Sequence, residues 1–295
     1  MSGDGKLPIS VVVLTYNEER NIRDCLRSVC DWADEIFVVD SGSTDRTLEI
    51  ARTFTPKIVS HEFETYSRQR NWSQENLPLR NEWILHLDAD ERITPELAQS
   101  IHEAFRDGPP QEVDGLILRR RTVFMGRSIL HGGCYPTHHL RLFRHQKGRC
   151  EDRLDNQHFL VDGPTRVLAG DMMDVLMSDL TTWLVRHARW AGLEAEQFED
   201  RHPNGKQLAG RVIGNPLERR RWFKLWYGRA PLFIRAFAYF GFRYFLRLGF
   251  LDGMEGLIFH FLHGCFYRFY VDAKIYEARK QHKEALNKVP ASVQA

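Results

Sequence analysis

Short apolar runs alternate with amphipathic segments along the first hundred residues. Residues 9–14, 35–39 and 83–87 are apolar runs, typical of strands buried in a sheet. Between them, apolar residues recur at helical spacing from Asn21 and again over about residues 65–75. Strands that alternate with helices of this length predict an α/β fold, in which helices flank a mostly parallel sheet.

The pattern beyond residue 106 is less regular. Residues 115–119 and 140–144 have strand patterns, residues 161–168 suggest a third strand, and residues 180–198 have helical spacing. We therefore expect one α/β domain followed by a helical extension. The expected bounds are 1–205 for the domain, with halves at about 9–106 and 107–205, and 206–295 for the extension.

Two carboxylates directly follow the apolar strand at 83–87. Asp88 and Asp90 alternate at its carboxyl end, and residues 94–96 have the Thr-Pro-Glu pattern of a helix start. Ligands of open α/β sheets bind at this end of the strands. The pair suits a Mg²⁺ or Mn²⁺ ion shared with substrate phosphates, because such ions keep several water ligands. The structural alternative is an acidic turn that only stabilises the next helix.

Two other predicted strand ends also lead into polar loops. Thr15, Asn17 and Glu18 follow the first strand, and Asp40 with residues 41–45 follows the second. In a parallel sheet all three loops face one edge, where they would offer polar groups to a base and ribose and small residues beside phosphates. The sequence thus predicts a nucleotide diphosphate pocket, although turn and cap roles would explain single residues of the set.

Composition narrows the class of protein only slightly. The 295 residues are 43% hydrophobic and 27% charged, as in ordinary globular proteins. The five cysteines form no CxxC pair, so we expect reduced thiols rather than disulfides. The first eight residues contain no apolar signal segment. These features predict a cytosolic protein.

The apolar runs and their loops together resemble the family 2 glycosyltransferases, whose nucleotide-sugar-binding fold is called GT-A. The matching segments are residues 11–19, 38–47, 69–72 and 83–91. The resemblance is greatest to the bacterial branch that adds sugars to lipopolysaccharide core or related surface glycans. It implies an inverting, Mg²⁺- or Mn²⁺-dependent transferase, which moves a sugar from a nucleotide-sugar, with a UDP-sugar as the expected donor, to a lipid-linked or lipopolysaccharide-type glycan.

The resemblance also implies roles for individual residues. Asp90 is expected to be the main metal ligand, with Asp88 near the ribose and the metal, and Asp40 is expected to contact uracil. An exposed polar helix face would explain Arg68 and Asn71 equally well. The further residues expected to bind the nucleotide-sugar are Thr15, Asn17, Glu18, Ser41, Asp45, Arg68, Asn71 and Ala89.

Sugar transfer with inversion also requires a base for the proton of the acceptor hydroxyl. Similar family members have an acidic pair beside a histidine where this chain has Asn156, Gln157 and His158. Neither amide is a base at neutral pH. In a weakened or inactive enzyme, this loop would be only an exposed charged segment. The candidate bases are, in order, Asp155, then Asp152 and Glu151, with His158 as a base or as a metal or phosphate contact.

The extension is basic and aromatic. Residues 211–250 contain nine basic side chains and one acid, Glu218. On a helix, four of the arginines would share one arc beside bulky aromatic residues. These four are Arg229, Arg235, Arg243 and Arg247.

This composition favours a peripheral membrane segment over residues 219–276, on the inner face of the cell membrane. Its arginines interrupt every stretch that is long enough to span a bilayer. The alternative is a helical pair packed on the protein or in a dimer, with arginines facing water. Bulky aliphatic residues between the charges argue against nucleic acid as the partner. The sequence does not indicate an oligomeric state.

Two other functions stay open at the level of sequence. Asn156 and Gln157, which replace the expected acids, are consistent with a nucleotide-binding scaffold of a glycan assembly complex. A sugar-1-phosphate nucleotidyltransferase shares the sheet and the metal, but it uses a Gly-rich basic loop after the first strand. Residues 15–18 do not provide such a loop.

Overall fold

The computed structural model describes residues 5–153, 157–176, 179–199 and 207–288. Its first half repeats strand and helix, because each apolar run is followed by a polar loop and an amphipathic segment. The elements are β1 (Leu7–Thr15), α1 (Ile22–Arg27), β2 (Ala33–Asp40), α2 (Thr47–Ala51), β3 (Ile58–Ser60), α3 (Tyr66–Asn76), β4 (Trp83–Asp88), β5 (Glu91–Ile93) and α4 (Pro95–Ala104).

The second half is richer in strands. Its strands are β6 (Gly115–Phe124), β7 (Arg127–Ser128), β8 (Thr137–Arg144), β9 (Gly148–Cys150), β10 (Phe159–Val161) and β11 (Thr165–Leu176). The strand suggested at 161–168 is thus two strands, since β10 pairs with β9 in a separate two-stranded sheet while β11 joins the main sheet.

The main sheet has the order β3-β2-β1-β4-β8-β6-β11-β5, with β7 beside β6. The strands β3, β2, β1 and β4 are parallel, as the alternation of strands and helices predicts. In the second half β8 runs antiparallel to both β4 and β6, whereas β6 and β11 are parallel. The predicted α/β fold is confirmed, and its second half has mixed strand directions.

Side chains of β1 alternate between two cores, one on each face of the sheet. Val11 and Val13 belong to the first core, whereas Val12 and Leu14 belong to the second. Burial on both faces explains why this strand is an unbroken apolar run. The register pairs Thr15 with Asp40 and Leu14 with Asp88, so the three polar loops meet at one edge of the sheet.

The chain continues as helices. They are α5 (Leu180–Glu199), α6 (Pro216–Gly228), α7 (Ile234–Gly241), α8 (Gly253–Phe259) and α9 (Tyr267–Lys288), with π-helical turns at Phe242–Leu246 and His260–Phe266 and a 3₁₀ turn at Gly249–Asp252. A small core of Ala191, Ala195, Val271 and Ile275 joins α5 to α9. Among the described helices, none is both long enough and apolar enough to cross a membrane.

The arginines of the extension do not share one helical arc. α7 ends at Gly241, and two of the arginines are buried. Arg235 forms an ion pair with Asp272, through an Nε–Oδ1 hydrogen bond of 2.8 Å. Arg243 donates from Nε to the carbonyl oxygen of Gly132 at 2.8 Å. The expectation that packed helices would turn their arginines to water is therefore wrong for these two residues.

Candidate active site

The loops after β1 and β2 are joined by hydrogen bonds. Asn17, in a left-handed conformation with φ 52°, accepts a bond from the Thr44 amide at 2.8 Å through Oδ1. Asp40 is buried and accepts bonds from the Gly42 and Ser43 amides, both at 2.9 Å. Asn17 and Asp40 thus shape the loops as well as lining the edge, because their acceptor atoms already bind backbone amides.

Asp45 has a similar role at the start of α2. Its carboxylate accepts bonds from the Thr47 amide at 2.9 Å and from the Glu19 amide at 3.1 Å. Burial acts to raise the pKa of Asp45, but these bonds outweigh burial and lower it. The carboxylate is therefore a charged group that ties the two loops together.

Three further predicted residues lie at the same edge. The hydroxyl of Ser41 accepts a bond from Gln69 Nε2 at 3.2 Å. The buried Thr15 hydroxyl has no hydrogen-bond partner in the described part of the chain. Ala89 is buried in the first core, and its amide donates to the Leu14 carbonyl at 3.0 Å. Ala89 can offer a ligand only its backbone.

Asp88 is held by two buried arginines. Arg70 donates to both of its carboxylate oxygens, at 3.0 and 2.9 Å. Arg141 donates to Asp88 Oδ2 at 2.8 Å and to Glu91 Oε1 at 2.6 Å. Burial acts to raise the pKa of Asp88, but the two guanidinium groups outweigh it and hold the pKa well below its usual range. Asp88 is a fixed negative charge.

Asp90 has the opposite environment. Within the described residues its carboxylate forms no hydrogen bond or ion pair, although its carbonyl accepts a bond from the Val175 amide at 2.9 Å. Burial raises the pKa of Asp90 well above its usual range, and the charges of Asp174, Glu18 and Asp88 raise it further. The neighbouring carboxylates have arginine partners, but Asp90 has none within the described chain, and a divalent cation would supply the missing positive charge.

The donor set fits a metal that is shared with a ligand. No three histidine, cysteine, aspartate or glutamate side chains of the described ranges converge as a complete metal site. Mg²⁺ and Mn²⁺ do not require one, since one or two carboxylates and substrate phosphates are enough. Asp90 is the available ligand, and Asp88 Oδ1, which among the described residues accepts only from Arg70, retains capacity for a second contact.

The two residues predicted on α3 do not reach this carboxylate group. Arg68 is exposed and pairs with Glu64 one turn earlier. The side-chain amide of Asn71 binds both the carbonyl and the amide of Cys150, at 3.1 and 2.9 Å. Arg70 reaches Asp88 instead, because it lies about 200° around the helix from Arg68.

The loop expected to hold the base is only partly described. Asp155, the first candidate, and Asn156 lie outside the described residues. Asp152 is exposed. Glu151 is buried, and its carboxylate accepts two bonds from Arg221 Nη2, at 2.9 and 2.6 Å.

Glu151 and His158 form a buried pair with Arg221 of α6. Burial acts to raise the pKa of Glu151, but hydrogen bonds from His158 and the charge of Arg221 lower it to about 2. Burial lowers the pKa of His158 to about 4, so the imidazole is neutral at pH 7. A carboxylate with so low a pKa is a weak base, and Glu151 is better placed to fix the loop than to accept a proton.

Several residues of the site were not predicted from sequence. Arg70 lies in a strongly polar helix and Arg141 alternates with apolar residues in a strand, and in both settings a buried arginine looks like an exposed one. Asp174 and Arg221 come from later parts of the chain, and only the fold brings them to Asp90 and Glu151. Glu91 belongs to the acidic run at 88–91, but the sequence did not predict that it shares Arg141 with Asp88.

Residues 10–155 match the family model for glycosyl transferase family 2. A glycosyltransferase from Rickettsia bellii is 38% identical over 97 residues, which are 33% of this chain and 32% of the relative. The chain thus matches about a third of that relative's length. The lipopolysaccharide core biosynthesis glycosyltransferase LpsC of Rhizobium meliloti is 24% identical over 264 residues, covering 87% of this chain and 90% of LpsC.

Among solved structures, residues 1–349 of TarS from S. aureus align with 93% of this chain and 91% of that chain. The sequence identity is 15% and the TM-score is 0.44.

Proposed function

Because this chain belongs to the family 2 glycosyltransferases, we propose that it transfers a sugar, with inversion, from a UDP-sugar to a lipid-linked or lipopolysaccharide-type glycan. The family model covers residues 10–155, which include all three polar loops, the Asp88–Asp90 segment among them. The length-wide similarity to LpsC supports an acceptor of the lipopolysaccharide class.

One observation supports the donor site above all others: Asp88 and Asp90 are chemically unlike. Asp88 is paired with Arg70 and Arg141, whereas Asp90 has no partner in the described chain and lies among other carboxylates. A nucleoside diphosphate with a divalent cation would suit both residues. The cation would bind the carboxylate of Asp90, and Asp88 would stay fixed beside the ribose.

Mg²⁺ or Mn²⁺, when bound, would supply Lewis-acid stabilisation of the negative charge that develops on the leaving diphosphate. Asp90 would hold it, with Asp88 as the second protein ligand. Ser41 and Gly42 follow Asp40 at the same edge, where their small side chains let a ligand approach closely.

In the reaction, the acceptor hydroxyl oxygen bonds to the anomeric carbon while the bond from that carbon to the diphosphate oxygen breaks. The hydroxyl proton passes to a base, and the nucleoside diphosphate leaves. Asp155 remains our first candidate for that base. Asp152, which is exposed in the same loop, is the second, since Glu151 is committed to Arg221.

The experiment is a transfer and donor-hydrolysis screen with UDP-, GDP- and dTDP-sugars, with and without Mn²⁺ or Mg²⁺. We expect turnover with a UDP-sugar that depends on the metal. Metal-independent turnover would contradict the role of Asp90. Tight UDP binding without turnover, on every acceptor tested, would instead support the alternative of a nucleotide-binding scaffold without enzymatic activity.

A further inference from the structure

The extension has an exposed apolar surface at residues 242–254, which we call the apolar tip. Seven of its thirteen residues are large, hydrophobic and exposed, including Leu246 at 75% and Phe245 at 60% exposure. The seven are Phe242, Phe245, Leu246, Leu248, Phe250, Leu251 and Met254. Contiguous apolar surface of this kind marks a site of interaction.

Ring contacts make the tip continuous with the helices behind it. Phe240 stacks on Tyr244 with ring centres 5.3 Å apart, and it meets Phe261 edge to face at 5.9 Å. Tyr244 contacts Phe250 across the turn, with ring centres 6.3 Å apart. The exposed side chains are therefore supported by a layer of packed aromatic residues.

The tip is also fixed firmly to the α/β domain. Asp252 is buried and accepts bonds from the His131 amide at 2.9 Å and from its imidazole at 2.7 Å. The Gly132 amide donates to the Arg247 carbonyl at 2.8 Å. Only glycine fits at 132, because φ is 65° and a Cβ there would lie 2.2 Å from the His260 ring.

This attachment places the tip near the candidate active site. The anchoring loop, residues 129–134, follows β6 and β7 and precedes β8. Because β8 is antiparallel to both β4 and β6, the carboxyl ends of β4 and β6 lie at the same edge of the sheet. Asp88 ends β4 at that edge.

The chain that leads into the tip is positively charged, and the acids that follow, Asp252 and Glu255, are paired with His131 and Arg127. Residues 219–251 contain no acidic residue, and Arg219, Arg229 and Arg247 are exposed. Two copies of this chain joined tip to tip would bring like charges together. An anionic bilayer instead offers acyl chains to the apolar residues and phosphates to the arginines.

We propose that the apolar tip inserts into the interfacial region of an anionic membrane and holds the catalytic edge of the sheet beside it. The inserted groups are the hydrophobic residues at 242–254, while Arg235 and Arg243 fix the helices from inside. The proposal rests on the proposed function in one respect: it takes a lipid-linked acceptor as the substrate that reaches this edge.

The test is flotation of the full chain with vesicles of phosphatidylglycerol and phosphatidylethanolamine. Replacing Phe245 and Leu246 together with serine (F245S/L246S) removes apolar surface without changing charge, and we expect binding to fall at least about tenfold. Arg247→Glu should weaken binding about fivefold or more at low salt. The matched control is Val185→Ser on α5, a residue 68% exposed and outside the tip, which should float as the wild type does.

Equal flotation of the serine double variant and the wild type would overturn the proposal. So would wild-type protein that fails to float, or a dimer in sedimentation analysis that the double variant dissociates. Thermal unfolding checks that the variants are folded, and UDP binding should be unchanged in F245S/L246S. If flotation follows this pattern but no UDP-sugar is turned over, the proposed function is wrong, whereas membrane binding by the apolar tip is supported.

Discussion

The edge of the sheet at Asp88 and Asp90 and the extension both contain buried arginines, but the two regions leave opposite kinds of group for partners. At the edge, Arg70 and Arg141 hold Asp88, and the carboxylate of Asp90 is left for a ligand. In the extension, Arg235 holds Asp272, and hydrophobic residues are left at the surface. In both regions, the groups left for a partner are those that the buried arginines do not bind.

The comparison shows why arginine content alone misleads. An arginine-rich stretch suggests a positive surface, yet Arg235 and Arg243 are buried against Asp272 and Gly132. Their fixed geometry suits buried ion pairs and carbonyl contacts. Exposed charge in the extension therefore comes from other arginines, such as Arg229 and Arg247.

The largest effect is expected from Arg141→Ala. This change leaves Asp88 and Glu91 buried without their shared cation, so the free energy of unfolding should fall by on the order of 3–5 kcal/mol. Urea unfolding measures the loss. Arg149→Ala, at an exposed position on β9, is the matched control and should unfold like the wild type. Equal stability of the two variants would mean that Arg141 is not the support of the carboxylates.

Arg235→Met tests the same idea in the extension. The variant leaves Asp272 buried and unpaired, and we expect it to lower the free energy of unfolding by about 3 kcal/mol. Arg229→Met, at an exposed position of the same stretch, should change it little. If Arg229→Met were the more destabilising of the two variants, the assignment of Arg235 as the buried, paired arginine would be wrong.

A smaller effect, with a characteristic pH dependence, is expected for Glu151→Gln at the junction of the two regions. The pKa of Glu151 is about 2 in the folded chain, below its ordinary value of 4.5, so its stabilising effect is complete above about pH 4.5 and disappears as the pH falls towards 2. At neutral pH the variant should lose about 2 kcal/mol of unfolding free energy.

Urea unfolding at a series of pH values follows the difference between the Glu151→Gln variant and the wild type. That difference should shrink as the solution is acidified from about pH 4.5 towards 2. A difference that stays constant over this range would show that the charge of Glu151 is not what stabilises the loop.

The smallest effect is expected for Arg68→Ala. Arg68 and Glu64 form an exposed pair, and such pairs contribute little. Donor KM should change less than about twofold, whereas Arg70→Ala should raise it clearly through Asp88. A large increase for Arg68→Ala alone would restore Arg68 to the nucleotide site.

The sequence was sufficient for the α/β fold of the first half and for the meeting of its polar loops. Both follow from local patterns: the apolar run before Asp88 predicts the strand, and the polar residues from Thr94 predict the start of α4, where Thr94 is the observed cap. The placement of Asn17 and Asp40 at one edge was predicted because parallel strands bring their ends together.

Contacts between distant segments could not be predicted from local sequence patterns. Arg221 meets Glu151 across 70 residues, and Arg235 meets Asp272 across 37. Neither pair has a local signal, because a buried arginine and an exposed one have the same neighbours in sequence. The resemblance predicted Arg68 as a nucleotide contact, and only the packing of α3 shows that Arg70 is the arginine that reaches Asp88.

Calorimetric titration of UDP, with and without Mn²⁺, tests most directly whether Asp90 recruits a metal for the donor. We expect Mn²⁺ to strengthen UDP binding to the wild type at least about tenfold, and to change binding to Asp90→Asn less than about twofold. An equal gain from Mn²⁺ in both proteins would contradict the assignment, as would wild-type binding that is indifferent to the metal.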